Sequence, residues 1–306
     1  MTKFIVKRIG AALFTIFVVA TLTFFLMKAV PGSPFTSEKS NAIAEAAQNA
    51  KYGLDKPLFV QYGLYLNQLI HGDLGISYKV QKNATVVNII KTTFPVSARI
   101  GGIAVLLALV VGIPLGCIGA LRNGKWQDNV IRVFATLGIA VPSFVVASLS
   151  MLLFSVKLKW LPSLGLDTPK SYILPVFALA FYPMCYIARL MRASMLESLG
   201  QDYIRTARAK GMSEQVTTFK HALRNSMIPV ITYVGPMIAY TLVGAFVVEK
   251  IFNIPGLGRY FIKAIENRDY SLIMGTTIFL AVLIIAMNLL SDILYRVVDP
   301  RIKIGE

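Results

Sequence analysis

Six predominantly apolar stretches recur along this chain: Ile9–Met27, Ile100–Leu121, Phe134–Val156, Ile173–Leu190, Ile228–Val248 and Gly275–Val297. Each is long enough to cross about 30 Å of hydrocarbon as an α-helix. A bilayer core offers no water to a backbone amide, so a spanning segment must satisfy its own hydrogen bonds and is driven into helix. With 306 residues, 56% hydrophobic content and a mean hydropathy of +0.64, the chain is too apolar for a soluble domain of its length. The expected fold is an all-α membrane protein with six transmembrane helices.

The first stretch follows Lys3, Lys7 and Arg8, as a secretory signal would. No small-x-small cleavage pattern follows it, which favours a retained helix. In a six-helix topology, Lys and Arg divide 16 against 15 between the two sides, which decides nothing. Long loops count little under the positive-inside rule. Leaving out Pro31–Ser97, with Lys28 and Arg99 at helix ends, gives 16 against 7 and places both termini in the cytoplasm. The predicted organisation is residues 1–30 with the first helix, an extracytoplasmic helical segment over 31–97, and a core over 98–306 with a cytoplasmic loop at 200–228. Within the extracytoplasmic segment, Asp55 and Pro57 start a helix whose apolar positions, Leu58, Phe59, Tyr62, Leu66, Leu69 and Ile70, recur until Gly72.

A net charge of +16 would suggest nucleic acid in a soluble protein. Here it reflects the cytoplasmic bias and anionic lipid headgroups, and no aromatic-basic groove accompanies it, so no nucleic-acid partner is expected. Cys117 and Cys185 fall inside apolar helices and read as small buried residues. Pro114, Pro142, Pro175, Pro183 and Pro236 lie in membrane stretches, where they kink helices and free carbonyls. Gly112 and Gly116 form a small-xxx-small face suited to close helix packing.

Chemistry is scarce. The run Gly119–Trp126 is one residue from a phosphate-binding loop, but Trp126 replaces the required hydroxyl and a membrane helix replaces the preceding strand. Gly256-Leu257-Gly258 lacks the strand and third glycine of a dinucleotide site. The chain is expected to bind no nucleotide or other cofactor itself. His71 and His221 fall on opposite faces of the membrane, which disfavours a metal site or a His-based dyad. Asp292, the clearest intramembrane acid, has Arg296 one turn on and reads as half of an i,i+4 pair. No energy source for transport is evident, so the energy is expected from a partner.

The loop at 200–228 is the best place for that partner. Gly200 can cap the preceding helix, and Asp202 can N-cap a short one running to Lys210. Gly211 then ends it and Ser213 caps the next. Ile204, Ala207 and Gly211 share one face, with Arg205, Arg208 and Lys210 on the remainder. Val216, Phe219, Leu223 and Met227 form a second stripe, expected to pack back on the membrane helices. On periodicity alone, docking to a protein and lying flat on lipid headgroups stand level.

The run Arg205-Thr206-Ala207-Arg208-Ala209-Lys210-Gly211-Met212-Ser213, with His221-Ala222-Leu223-Arg224-Asn225 and Pro229, closely resembles the cytoplasmic loop of B-type permease subunits of bacterial oligopeptide and dipeptide ABC importers. Matches extend to His71-Gly72-Asp73-Leu74-Gly75-Ile76-Ser77, Val141-Pro142-Ser143-Phe144, Ile251–Arg259, Arg268-Asp269-Tyr270 and Asp299-Pro300-Arg301, so they cover almost the whole chain. The resemblance implies the type I ABC importer permease fold in a bacterial cytoplasmic membrane. It also implies a second homologous permease subunit, two cytoplasmic ATPase subunits that hold ATP and magnesium, an extracytoplasmic binding protein, and peptide as substrate. Residues Asp202, Tyr203, Ile204, Arg205, Thr206, Ala207, Arg208, Ala209, Lys210, Gly211, Met212 and Ser213 would form the helix that couples to the ATPases. The wider class carries Glu-Ala-Ala-xxx-Gly here. Only Ala207 and Gly211 match it, and Arg205 stands in place of the acid.

Pro255, Gly256, Leu257 and Gly258 are turn formers between the fifth and sixth helices, and the resemblance places them near the outer gate. Ser143, Tyr182, Thr232, Tyr240 and Asn288 are polar residues within helices and are candidates for lining a cavity. A secondary transporter and a membrane enzyme are the rival classes. Similar permeases also serve nickel complexes, so the substrate is less fixed than the machine.

Overall fold

The structure, a computed structural model, describes residues 2–30, 53 and 55–298, without the side chains of residues 2–7, 243, 244 and 293–298. Five helical stretches are long and apolar enough to cross a membrane: Arg8–Ala29, Val86–Leu121, Pro169–Leu199, Glu214–Ile251 and Tyr270–Asp292. The third predicted span is instead two helical arms, Trp126–Ala140 and Ser143–Lys157, meeting at 102°. Proline chemistry explains the break. Pro142 brings no N–H, and its ring pushes Val141 out of the helical region to φ −91°, ψ 119°. Pro114, Pro183 and Pro236, expected to act similarly, lie inside helices that run on unbroken. Pro175 falls in a first helical turn, where a missing N–H costs nothing.

The chain forms two compact units, Met1–Pro95 with Arg259–Leu283, and Val96–Gly258 with Ile284–Glu306. In the first, helix α1 (Thr2–Ala29) exposes Leu13, Phe14, Phe17, Leu22 and Leu26, as a lipid-facing helix should. Its other edge carries Phe24, which stacks on Tyr65 of α2 (Leu58–Ile70) with ring centroids 5.5 Å apart, and Thr21, which shares a 2.8 Å hydrogen bond with Tyr62. Helix α2 packs through Tyr62, Tyr65, Leu66 and Leu69, while Leu58, Phe59 and Ile70 of the predicted stripe are exposed. Asp55 makes no cap, and Pro57 occupies the N-cap position.

Residues 71–85 then return through a single Ile76–Thr85 bridge to α3 (Val86–Leu121). Their anchor is Asp269, a fully buried carboxylate. It accepts the Ser77 hydroxyl at 2.6 Å and the backbone N–H groups of Tyr78 at 3.1 Å, Lys79 at 2.9 Å, Val80 at 3.0 Å and Leu272 at 3.4 Å. These donors satisfy a carboxylate that would otherwise be buried without partners.

In the second unit, α4 (Trp126–Ala140) and α5 (Ser143–Ser150, continued by a π-helical stretch Met151–Lys157) pack against α6 (Ile173–Leu199). So does α9 (Leu223–Ile251), which follows the short α7 (Asp202–Ala209) and α8 (Glu214–Val216). Helices α10 (Leu257–Asn267) and α11 (Tyr270–Val298) complete the described elements. The glycine face predicted on α3 is used as expected. A Cβ at Gly112 would lie 2.8 Å from the Met184 carbonyl oxygen, and one at Gly116 2.6 Å from that of Ala188.

Candidate functional site

The short helix α7 is carried by the end of α6. Its N-cap is Gln201, without a side-chain bond, and not Asp202 as expected. Asp202 is instead the first helical residue, where its charge favours the helix N-terminus, its carbonyl accepts the Thr206 hydroxyl at 3.0 Å and its carboxylate lies 3.4 Å from Arg205. Ile204 and Ala207 share one face, as their spacing predicted, and that face is buried. Gly211 is not on that face: it lies beyond the helix with φ +78°, and a Cβ there would meet nothing within 4 Å. The positive φ that stops α7 is what requires glycine. Ser213 caps α8 through the Val216 N–H.

Outward from Ile204 and Ala207 the surface is mixed. Arg205 is 76% exposed, Arg208 is held by Glu214 at 2.9 and 3.2 Å, and Lys210 is exposed. The stripe Val216, Phe219, Leu223, Met227 was expected to pack inward. Leu223 and Met227 do, but Val216 and Phe219 are 43% and 64% exposed, and Thr217, Thr218, Ala222 and Ser226 are buried in their place. A π-helical stretch over Thr217–Ala222 takes more residues per turn than an α-helix and rotates the register. The result is an apolar and basic surface around Tyr203, Met212, Val216 and Phe219, all partly exposed.

Behind α7, an ion pair that spacing alone did not reveal fastens α6 to the first turn of α4. Arg192 holds Asp128 through both guanidinium and carboxylate forks, and its Nη2 also donates to Asn123 at 3.1 Å. Asp128 additionally accepts the Gly124 N–H at 2.9 Å. The Gly119–Trp126 run is thus a helix end and a turn, with Gly124 at φ +75°.

The break at Val141-Pro142 opens a cavity of about 350 Å³ lined by Pro142, Ser143, Tyr182, Tyr233, Met237 and Tyr240 among others. Three of the five predicted lining residues, Ser143, Tyr182 and Tyr240, meet here. Tyr240 is also shared with a second hollow of about 350 Å³, where it joins Asn288. Thr232 lines neither. Its hydroxyl donates back to the Ile228 carbonyl at 2.9 Å, and its own carbonyl accepts the Ser291 hydroxyl at 2.8 Å. Tyr186 stacks between Tyr182 and Tyr233, at 6.3 and 4.3 Å between centroids, and Arg189 lies over the Tyr186 ring at 5.7 Å. Tyr186, Tyr233 and Arg189 were overlooked in the sequence, although the i, i+4, i+7 spacing of Tyr182, Tyr186 and Arg189 was there to be seen.

Pro255, Gly256, Leu257 and Gly258 form the tight turn into α10. The Leu257 N–H donates to the Ser97 hydroxyl at 2.8 Å. A Cβ at Gly256 would collide with the buried Glu249 carboxylate, and one at Gly258 with Phe246. Both glycines are therefore dictated by packing. The side chain of Arg296, the expected partner of Asp292, and the run Asp299-Pro300-Arg301 lie outside the described residues.

Two family profiles cover the chain. "Binding-protein-dependent transport system inner membrane component" matches residues 112–304, and the N-terminal component of the same systems matches residues 1–101. The dipeptide transport system permease protein DppB of Bacillus subtilis is 46% identical over 305 residues, covering 99% of both chains. The oligopeptide transport system permease protein OppB of Haemophilus influenzae is 44% identical over 307 residues, covering 99% of this chain and all of its own. Among solved structures, the inward-facing MetNI methionine ABC transporter superposes with a TM-score of 0.57 at 15% identity, over 69% of this chain and 97% of that one. An amino acid ABC transporter solved with histidines gives 0.54 at 16% identity, over 71% and 95%. At such identities these two establish the type I importer permease fold.

Proposed function

The chain belongs to the inner-membrane components of binding-protein-dependent transport systems, and from that premise we propose that it forms one half of the translocation path of an ATP-driven peptide importer. Full-length similarity to a dipeptide permease and an oligopeptide permease carries this reading. The partners are a second, homologous permease subunit, two cytoplasmic ATPase subunits that hold ATP and magnesium, and a binding protein that delivers peptide. This chain is the non-catalytic member. Both termini and the 200–228 loop face the cytoplasm, and residues 31–97 with the 255–258 turn face outward, the latter beside the outer gate.

In this account α7 seats in a groove of an ATPase subunit. Its buried Ile204 and Ala207 fix it to the permease, and its exposed Tyr203, Arg205 and Lys210 face the partner. Closure of the ATPase pair moves α7, and α6 with its Asp128–Arg192 tie moves the arms around the broken third span. The cavity at Ser143, Tyr182 and Tyr240 then opens alternately to the two sides. Arg205 in place of the acid of the wider class makes the seat basic rather than acidic at that point.

Purification from the native membrane tests the assembly. Co-purification of two ATPase subunits and a peptide-loaded binding protein is expected. A nickel-loaded binding protein would overturn the substrate, and a chain that purifies without ATPases would overturn the machine.

A further inference from the structure

The tyrosine-lined cavity leads along α6 to a charge that the transport cycle above leaves unused. Tyr182, Tyr186 and Arg189 share one face of the helix and are exposed or half-buried, whereas Pro183, Met184, Cys185, Ile187 and Ala188 beside them are buried. Arg189 lies ten residues before the helix ends at Leu199, about 15 Å along the axis. The surrounding stretch, Pro169–Leu199, is apolar enough to cross a membrane. Arg189 is the one charge in the apolar run Ile173–Leu190, one residue from its cytoplasmic end, where a long side chain can keep its head ionised at the membrane rim. Its neighbour Arg192 is paired, with Asp128. Arg189 has only the face of Tyr186, 5.7 Å away, and no carboxylate or hydrogen-bond acceptor among the described residues. The ring steadies the guanidinium and leaves its N–H fork open for a planar anion.

The spacing also fits a short chain. Seven residues of helix separate Arg189 from Tyr182, about 10.5 Å. An extended peptide rises about 3.3 Å per residue, so roughly three residues bridge that distance. We propose that Arg189 receives the C-terminal carboxylate of the peptide in transit, with the peptide body lying over Tyr186 and Tyr182 and its other end in the cavity beside Ser143. This rests on the peptide-importer reading. It adds a selectivity filter for free carboxylates in the permease itself, distinct from any in the binding protein.

The test uses the full complex in proteoliposomes and a tripeptide supplied as free acid and as C-terminal amide, chosen so that the isolated binding protein takes both with equal affinity. The wild-type complex should import the free acid faster. Arg189→Gln should lower the ratio of free-acid to amide uptake by about tenfold, and Arg189→Lys should keep only part of it, because lysine preserves the charge but loses the fork and the stacking. A wild-type ratio near one, or a ratio that Arg189→Gln leaves unchanged, overturns the site. Equal slowing of both peptides by Arg189→Gln also overturns it and assigns Arg189 to a neighbouring subunit's acid or a lipid headgroup. A wild-type complex that imports neither peptide defeats the importer reading and this proposal with it.

Discussion

The Arg192 guanidinium grips the Asp128 carboxylate through two parallel hydrogen bonds, Nε to Oδ1 at 2.5 Å and Nη2 to Oδ2 at 2.7 Å. The grip joins the first turn of the broken third span to the helix that leads into α7. A geometry of this kind fixes direction as well as distance.

Removing one partner leaves the other charge in a site where Asp128 is 1% and Arg192 18% exposed. Asp128→Ala should therefore destabilise by about 3 kcal/mol or more, and adding Arg192→Ala to it should cost less than the sum of the two. Thermal midpoints of the purified protein in a double-mutant cycle measure this. Strict additivity would show that the pair carries no coupling.

Asp269→Asn replaces an acceptor of five hydrogen bonds with a group that has one acceptor oxygen and an amide that donates. The amides of Tyr78, Lys79 and Val80 should then exchange hydrogen at least about tenfold faster, corresponding to about 1.4 kcal/mol of lost local stability. Unchanged protection at these three amides would remove Asp269 as the anchor of residues 71–85.

Gly116→Leu drives a side chain into the Ala188 carbonyl and Met191. Overpacking of this kind should cost about 2 kcal/mol or more, whereas Gly102→Leu, where a Cβ meets nothing within 4 Å, should be near neutral. Comparing the thermal midpoints of the two variants decides whether the α3–α6 approach is as close as described.

The spans were legible because hydrophobic runs of membrane length have one physical solution. A kink at Pro142 was expected, but so were kinks at Pro114, Pro183 and Pro236, and only the backbone shows that the first breaks its span by 102° while the other three lie inside continuous helices. The two motifs around Ser77 and Asp269 each stood out, but nothing in the sequence says that residues 192 positions apart share a hydrogen bond. Periodicity put Ile204 and Ala207 on one face of α7, and the fold turns that face inward. It failed one element later, because a π-helical stretch shifts the register and turns Phe219 outward. Nothing in the sequence distinguishes Arg189 from Arg192, and their different places, one over an aromatic ring and one paired with Asp128, needed the fold.

Ile204→Asp should unseat α7. A carboxylate at a fully buried position without a partner costs several kcal/mol, so limited proteolysis should cut within 200–213 in the variant and not in the native chain. Equal resistance would mean that α7 is not held by its inner face.

The central claim is that α7 transmits ATP hydrolysis by partner subunits to peptide movement through this chain. Gly211 is the position to probe: its φ of +78° makes any side chain cost about 1 kcal/mol, yet a Cβ there touches nothing within the chain. Gly211→Asp therefore leaves the permease folded and alters the surface that meets the ATPase. The decisive measurement is peptide uptake and ATP hydrolysis, recorded together, in proteoliposomes holding both permeases, the ATPases and the binding protein. The account predicts uptake that requires ATP in the native complex, and in Gly211→Asp either loss of ATPase assembly or continued hydrolysis without uptake. Normal uptake by a fully assembled Gly211→Asp complex, or native uptake driven by an ion gradient without the ATPases, would contradict it.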